Sequence, residues 1–167
     1  MKNILVILLS IIPLLVFSQN TSKQSINWME LSKAESSAKK YNKNMLLFFY
    51  RPGCDYCDKM KNEALAEPSV INLINNNFFP VMLNGKSKLP IIYNDTTYIN
   101  TKAKAEDDPS IHDLARKLVD MKDGNYYWPT IVLINGRHQK LIQGNGAWSK
   151  EQTLRNLKQM VHVTEPF

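Results

Sequence analysis

Cys54-Asp55-Tyr56-Cys57 contains the only two cysteines of the chain. The apolar run Met45–Tyr50 before them reads as a buried strand, and Asp58 to Leu65 after them reads as a helix. Strand, short loop and a CxxC opening a helix is the context in which a dithiol becomes redox-active. The helix N-terminus carries unpaired N–H groups and a partial positive charge, and both favour thiolate at Cys54. Cys54 is therefore the expected exposed nucleophile, attacking a partner disulfide to form a mixed disulfide. Cys57 lies one helical turn on, on the same face and deeper, within reach to resolve that intermediate by pairing with Cys54. Two other uses of the pair stay open. An inert bridge across so short a loop removes little unfolded-chain entropy. A structural metal site needs about four ligands, and His112, His138 and His162 show no ligand spacing. No metal and no cofactor are expected, and each histidine reads as structural, at the surface or partly buried. Arg51 and Lys59 are close enough to favour the thiolate or simply solvated, whereas Asp55 opposes it.

The elements that would position this pair follow in order. Asn27 caps a helix expected from Trp28 to about Tyr41, with Glu30 completing a capping-box-like pair. Leu31, Ala34, Ala38 and Tyr41 fall on one face of it at helical spacing. Pro68 starts a short helix with Val70, Leu73 and Ile74 apolar, and Phe78–Leu83 is a second strand. Residues 84–106 read either as a small hairpin about Asn94-Asp95 or as an irregular surface loop. Asp107-Asp108-Pro109 starts a helix, with Ile111, Leu114, Leu118 and Met121 as its stripe and Gly124 as its stop. Thr130–Ile134 is a strand, Asn135-Gly136 a hairpin turn, and Lys140–Gln143 the return strand, broken at Gly144 and Gly146. Ser149 and Gln152 form a capping box for a last helix through Leu154, Leu157 and Val161.

The first eighteen residues read as a secretory signal peptide: Lys2, an apolar stretch from Ile4 to Phe17, and a cleavage point at Ser18/Gln19. The alternative is a membrane anchor, but about 14 apolar residues fall short of the roughly 20 that span a bilayer. Of 167 residues, 149 remain after residue 18, which is one domain at 19–167 with a core over about 27–163. The whole chain has a formal net charge of +6, and losing Lys2 makes it +5. The basic residues are scattered, which argues against a nucleic-acid partner. The expected location is periplasmic or extracellular.

Helix, strand, CxxC helix, strand, helix, hairpin, helix, with these motifs, resembles the thioredoxin superfamily. The matching pieces are Phe48-Phe49-Tyr50 before the CxxC, Trp128-Pro129-Thr130 opening a strand about 75 residues on, Asn135-Gly136, and Ser149-Lys150. Lys39-Lys40-Tyr41-Asn42-Lys43 and Glu67-Pro68-Ser69-Val70 are similar to the exported C-terminal domain of the thiol–disulfide interchange proteins. The resemblance implies an α/β thioredoxin fold, a central mixed β-sheet flanked by helices, with an insertion before the third main helix. It implies an exported thiol–disulfide oxidoreductase acting on cysteine-containing exported proteins, with reductase favoured and a membrane electron donor or acceptor. It also implies that Pro129 is cis and faces the cysteines, against the plain reading of a trans proline leading a strand. Trp128, Pro129, Thr130 and Tyr56 would then contact substrate, and Asp55 would tune the potential. A monomer is expected, because no dimerisation segment is present. Three departures stand out: Phe48 replaces a buried acid, Gly53 replaces a Trp, and Asp-Tyr replaces Gly-Pro between the cysteines. A non-catalytic binding module using the same cysteines, for a metal or a protein, is the competing function.

Overall fold

The computed structural model describes residues 24–101 and 110–163. The expected signal segment 1–18, its Ser18/Gln19 cleavage point and the helix start at Asp107-Asp108-Pro109 lie outside them. The elements are α1 (Leu31–Tyr41), β1 (Met45–Tyr50), α2 (Asp55–Asn62), α3 (Pro68–Asn77), β2 (Phe79–Asn84), β3 (Ile91–Tyr93), β4 (Thr96–Tyr98), α4 (Asp113–Leu118), β5 (Thr130–Ile134), β6 (Lys140–Asn145) and α5 (Lys150–Val161). Four strands form a mixed sheet in the order β2-β1-β5-β6. β1 runs parallel to β2 and antiparallel to β5, and β5 runs antiparallel to β6.

β1 is apolar throughout because both faces of the sheet are covered. Its side chains alternate between two cores. Leu46 and Phe48 join Met60 of α2, Ile71 and Ile74 of α3 and Leu157 of α5. Met45, Leu47 and Phe49 join Ala34 and Ala38 of α1, Tyr93 of the small hairpin and Leu114 of α4. Among the described residues no helix is long and apolar enough to cross a membrane.

Several boundaries differ from the sequence expectation, each for a tertiary reason. α1 begins at Leu31, not Trp28, and its N-cap Glu30 makes no side-chain cap. The backbone of 27–29 is used elsewhere: the Asn27 N–H donates to Asn75 Oδ1 (2.9 Å) and the Met29 N–H to the Pro80 carbonyl (2.9 Å). Tyr41, at the end of α1, is exposed rather than buried and lies beside Phe79. Residues 91–98 take the hairpin form of the two readings. Asn94 and Asp95 have φ of 48° and 56°, the left-handed pair that a tight two-residue turn requires. α4 is only six residues long and ends at Leu118, leaving Met121 57% exposed. Gly124 sits in a turn closed by Lys122 and Asn125 instead of stopping that helix.

The Asn135-Gly136 connection is longer than a two-residue turn. The His138 N–H donates to the Asn135 carbonyl, and the Asn135 N–H donates to the Gln139 carbonyl. Gly136 approaches the end of α1 so closely that a Cβ there would come 2.7 Å from the Ala38 carbonyl oxygen. β6 continues through Gly144 to Asn145 instead of breaking, because the Trp148 ring lies where a Gly144 side chain would stand.

Candidate active site

The site forms at the end of the sheet where β1 finishes and β5 begins. Phe49 pairs with Thr130, so Tyr50 is level with Pro129. Beyond Tyr50 the loop 51–53 turns with Gly53 at φ +61°, a conformation that favours glycine. It delivers Cys54 as the N-cap of α2. Cys54 and Cys57 are joined as a disulfide, with Cα atoms 5.2 Å apart. The Cys57 N–H donates to Cys54 Sγ at 3.2 Å, so that sulfur caps the helix. This is the contact in which the helix N-terminus would hold negative charge on Cys54.

Cys57 is fully buried, as expected of the deeper partner. Cys54 is 3% exposed, which corrects its expected standing as an exposed side chain. Its sulfur is drawn down onto the first turn of α2 by the disulfide and by the Cys57 N–H.

The residues between the cysteines face outward: Asp55 is exposed and Tyr56 is 70% exposed. Arg51 folds back on its own loop, with Nη1 3.5 Å and 3.4 Å from the Pro52 and Gly53 carbonyls. Lys59 is exposed. Phe48, where the resembling family carries an acid, is fully buried and tilts against Trp28 at a ring-centroid distance of 6.1 Å.

The Trp128–Pro129 peptide bond is cis. Pro129 is buried and Trp128 half-buried. Thr130 turns inward and its hydroxyl donates to the Tyr127 carbonyl at 2.7 Å, fixing the 127–130 segment. The Trp128 ring covers Gly85, whose N–H donates to the Tyr50 carbonyl at 2.8 Å. The start of the insertion is thereby tied to both strands that carry the site. In Gly85→Ala the new methyl would overlap the indole, so we expect a loss of about 1–3 kcal/mol and shifted tryptophan emission. Urea unfolding followed by fluorescence checks both; no change in either would mean the ring does not rest there.

His112 belongs to this support and is 1% exposed. Its Nδ1 accepts the Leu114 N–H at 3.1 Å, its Nε2 lies 3.2 Å from the Leu89 carbonyl, and its own N–H donates to the Gly85 carbonyl. No sequence signal pointed to it, since histidine is not among the usual capping residues. Burial pushes the His112 pKa down, against the Leu89 carbonyl and the Asp113 carboxylate, which push it up. A histidine with a depressed folded pKa disfavours folding once the unfolded chain takes up the proton. Stability is therefore expected to fall as pH drops below about 6.5, and His112→Asn should flatten that slope. Urea titrations of both proteins from pH 7.5 to 5 test this; parallel slopes would contradict it. His138 lies elsewhere, 2.9 Å from Glu35, and His162 is exposed near the end of α5. Among the described residues no three His, Cys, Asp or Glu side chains form a group that could hold a metal ion.

A family model described as a thioredoxin-like domain matches residues 31–161. No curated protein matches the chain by sequence. Among solved structures, a thioredoxin from Thermus thermophilus superposes with a TM-score of 0.58 at 18% identity, covering 83% of this chain and 88% of that one. A disulphide isomerase from Xylella fastidiosa gives 0.55 at 18% identity, covering 83% and 98%. The oxidised C-terminal domain of DsbD from Neisseria meningitidis gives 0.50 at 14% identity, covering 77% and 90%. These identities establish likeness of fold.

Proposed function

The chain belongs to the thioredoxin-like domain family, and from that premise we propose that it is an exported thiol–disulfide oxidoreductase acting on protein cysteines. The observation that carries the reading is the Cys54–Cys57 disulfide, set at the N-terminus of α2 just beyond β1, the strand whose last pair, Phe49 with Thr130, adjoins the cis Trp128–Pro129 bond. Residues 1–18 support export, with cleavage near Ser18/Gln19 and a periplasmic or extracellular destination.

In the reducing direction the Cys54 thiolate attacks one sulfur of a partner disulfide and expels the other as thiolate. The Cys57 thiolate then attacks Cys54 Sγ and expels the second partner thiolate. The partner gains two electrons and two protons overall, and Cys54 and Cys57 are left as the disulfide. A partner dithiol drives the same steps in reverse. An extended partner segment pairs with the backbone beside Trp128 and Pro129, while Thr130 holds that backbone in place. Tyr56 meets the partner from the other side of the cysteines, and Asp55 adjusts the balance between thiol and disulfide.

Reductase is the favoured direction, with a membrane protein supplying electrons and the chain working as a monomer. Equilibration with glutathione separates the directions: a potential near about −270 mV fits a reductase, and one near about −120 mV an oxidase. The test of the function itself is a Cys57→Ser variant, which leaves mixed disulfides unresolved. Specific exported cysteine proteins should be recovered on Cys54; recovery of none, with the variant correctly folded, would contradict the reading.

A further inference from the structure

β6 is an edge strand of the sheet, and two of its side chains, Gln143 and Asn145, stand on the same face two residues apart. Gln143 is half-buried, yet protein groups fill all four hydrogen-bonding positions of its amide. Its Oε1 accepts the Asp120 N–H at 2.8 Å and a Lys140 Nζ proton at 3.0 Å. Its Nε2 donates to the Asp120 carbonyl at 2.9 Å and to Asn145 Oδ1 at 2.8 Å. One side-chain amide thus takes both backbone groups of a single residue, as a neighbouring strand would. The other Lys140 donors go to the Leu118 carbonyl at 3.1 Å and to the Asp120 carboxylate.

These contacts fasten the chain where it leaves α4. Beyond that point residues 120–125 and Tyr127 are exposed, so little apolar burial holds the stretch that leads to the cis peptide bond. The far end of the stretch is fastened to the same strand. Thr130 pairs with Asn145, whose Oδ1 lies 3.4 Å from the Thr130 hydroxyl oxygen. The Gly146 N–H donates to the Pro129 carbonyl at 2.8 Å. The Gln143–Asn145 hydrogen bond joins the two fastenings. The span from Asp120 to Thr130 is therefore held at both ends by one edge strand, with Gln143 at the junction.

We propose that Gln143 is a positioning residue for disulfide exchange: through Asp120 and Asn145 it sets where the Tyr126–Trp128 backbone stands for a partner segment to pair with. The inference rests on the proposed exchange at Cys54 and Cys57 and on partner pairing beside Trp128. None of the Gln143 hydrogen bonds goes to a cysteine, so its loss leaves the sulfur chemistry itself intact. The loss should slow exchange with a peptide disulfide and spare exchange with a small disulfide, which has no backbone to pair.

Gln143→Leu keeps most of the side chain's bulk and removes every one of these bonds. Against a disulfide-linked peptide its kcat/KM should fall about tenfold, mostly through KM. Its rate with hydroxyethyl disulfide and its equilibrium potential against glutathione should stay at wild-type values. Gln143→Glu separates the two halves of the amide. Its carboxylate still accepts from Asp120 and Lys140, but its second oxygen faces two acceptors, the Asp120 carbonyl and Asn145 Oδ1. It should show the same peptide-specific loss. A wild-type peptide rate in either variant, or an equal fall with both substrates, would overturn the inference. If the wild-type protein turns over neither substrate, the exchange reading fails, and amide hydrogen exchange then decides alone whether Gln143 holds the Pro129 segment. The Gly146 amide, which reports the Pro129 seat, should exchange about tenfold faster in both variants while the amides of β1 are unchanged; unaltered Gly146 exchange would show that Gln143 positions nothing there.

Discussion

Replacing Cys54 by Ser is expected to reduce insulin-disulfide reduction to background, a loss of roughly a thousandfold or about 4 kcal/mol of transition-state stabilisation. The geometry explains why one atom matters so much. Cys54 is the N-cap of α2, and its sulfur already accepts the Cys57 N–H. The stabilised anion in the reaction is a thiolate at that position. A serine hydroxyl can keep the cap, so the helix should survive while the nucleophile is lost. Circular dichroism and thermal melting of the variant should stay close to wild type while turnover disappears. Equal inactivity of wild type and variant would instead favour the binding-module reading, in which the two cysteines hold a ligand or partner without exchange.

Phe48→Ala should carry the largest stability cost, about 3–5 kcal/mol. Phe48 is fully buried, pairs with Met82 on one side and Ile131 on the other, and packs near Trp28. Removing its ring leaves a cavity at the centre of the sheet, below the strand end that leads to the cysteines. Domains of this kind are stable by only about 5–15 kcal/mol, so the variant would be marginal at physiological temperature. Equilibrium urea denaturation measures the loss. A cost below about 1 kcal/mol would mean that this position is not the packing keystone its burial implies.

What could be read in advance depended on whether the signal was local. β1 and β5 were expected at the bounds the structure gives them, because an unbroken apolar run between turn residues can be little else in a sheet covered on both faces. The capping box at Ser149 and Gln152 was legible for the same reason, since both partners lie within one turn. The CxxC was legible as chemistry because its spacing is that of a helical turn.

The misses have long-range causes. The sequence points to Asn27 as a helix cap, but Asn75 and Pro80 from α3 and β2 take up the backbone of that segment. Glycine at 144 predicts a strand break, but it is the seat of Trp148. The near-burial of Cys54 follows from where its sulfur points once the disulfide forms, which a sequence does not encode locally. Gly85 and His112 carried no recognisable signal, and their importance arises only from what the fold stacks on them. The start of the 84–106 insertion thereby proves to be a support for Trp128, through Gly85, and for α4, through His112.

The most direct test of the central claim is the order in which the reduced protein's cysteines react with iodoacetamide under native conditions, mapped by mass spectrometry. Cys54 should be carboxamidomethylated first and Cys57 should remain protected until the protein is unfolded. Modification of Cys57 first, or of neither cysteine in the folded protein, would contradict the account.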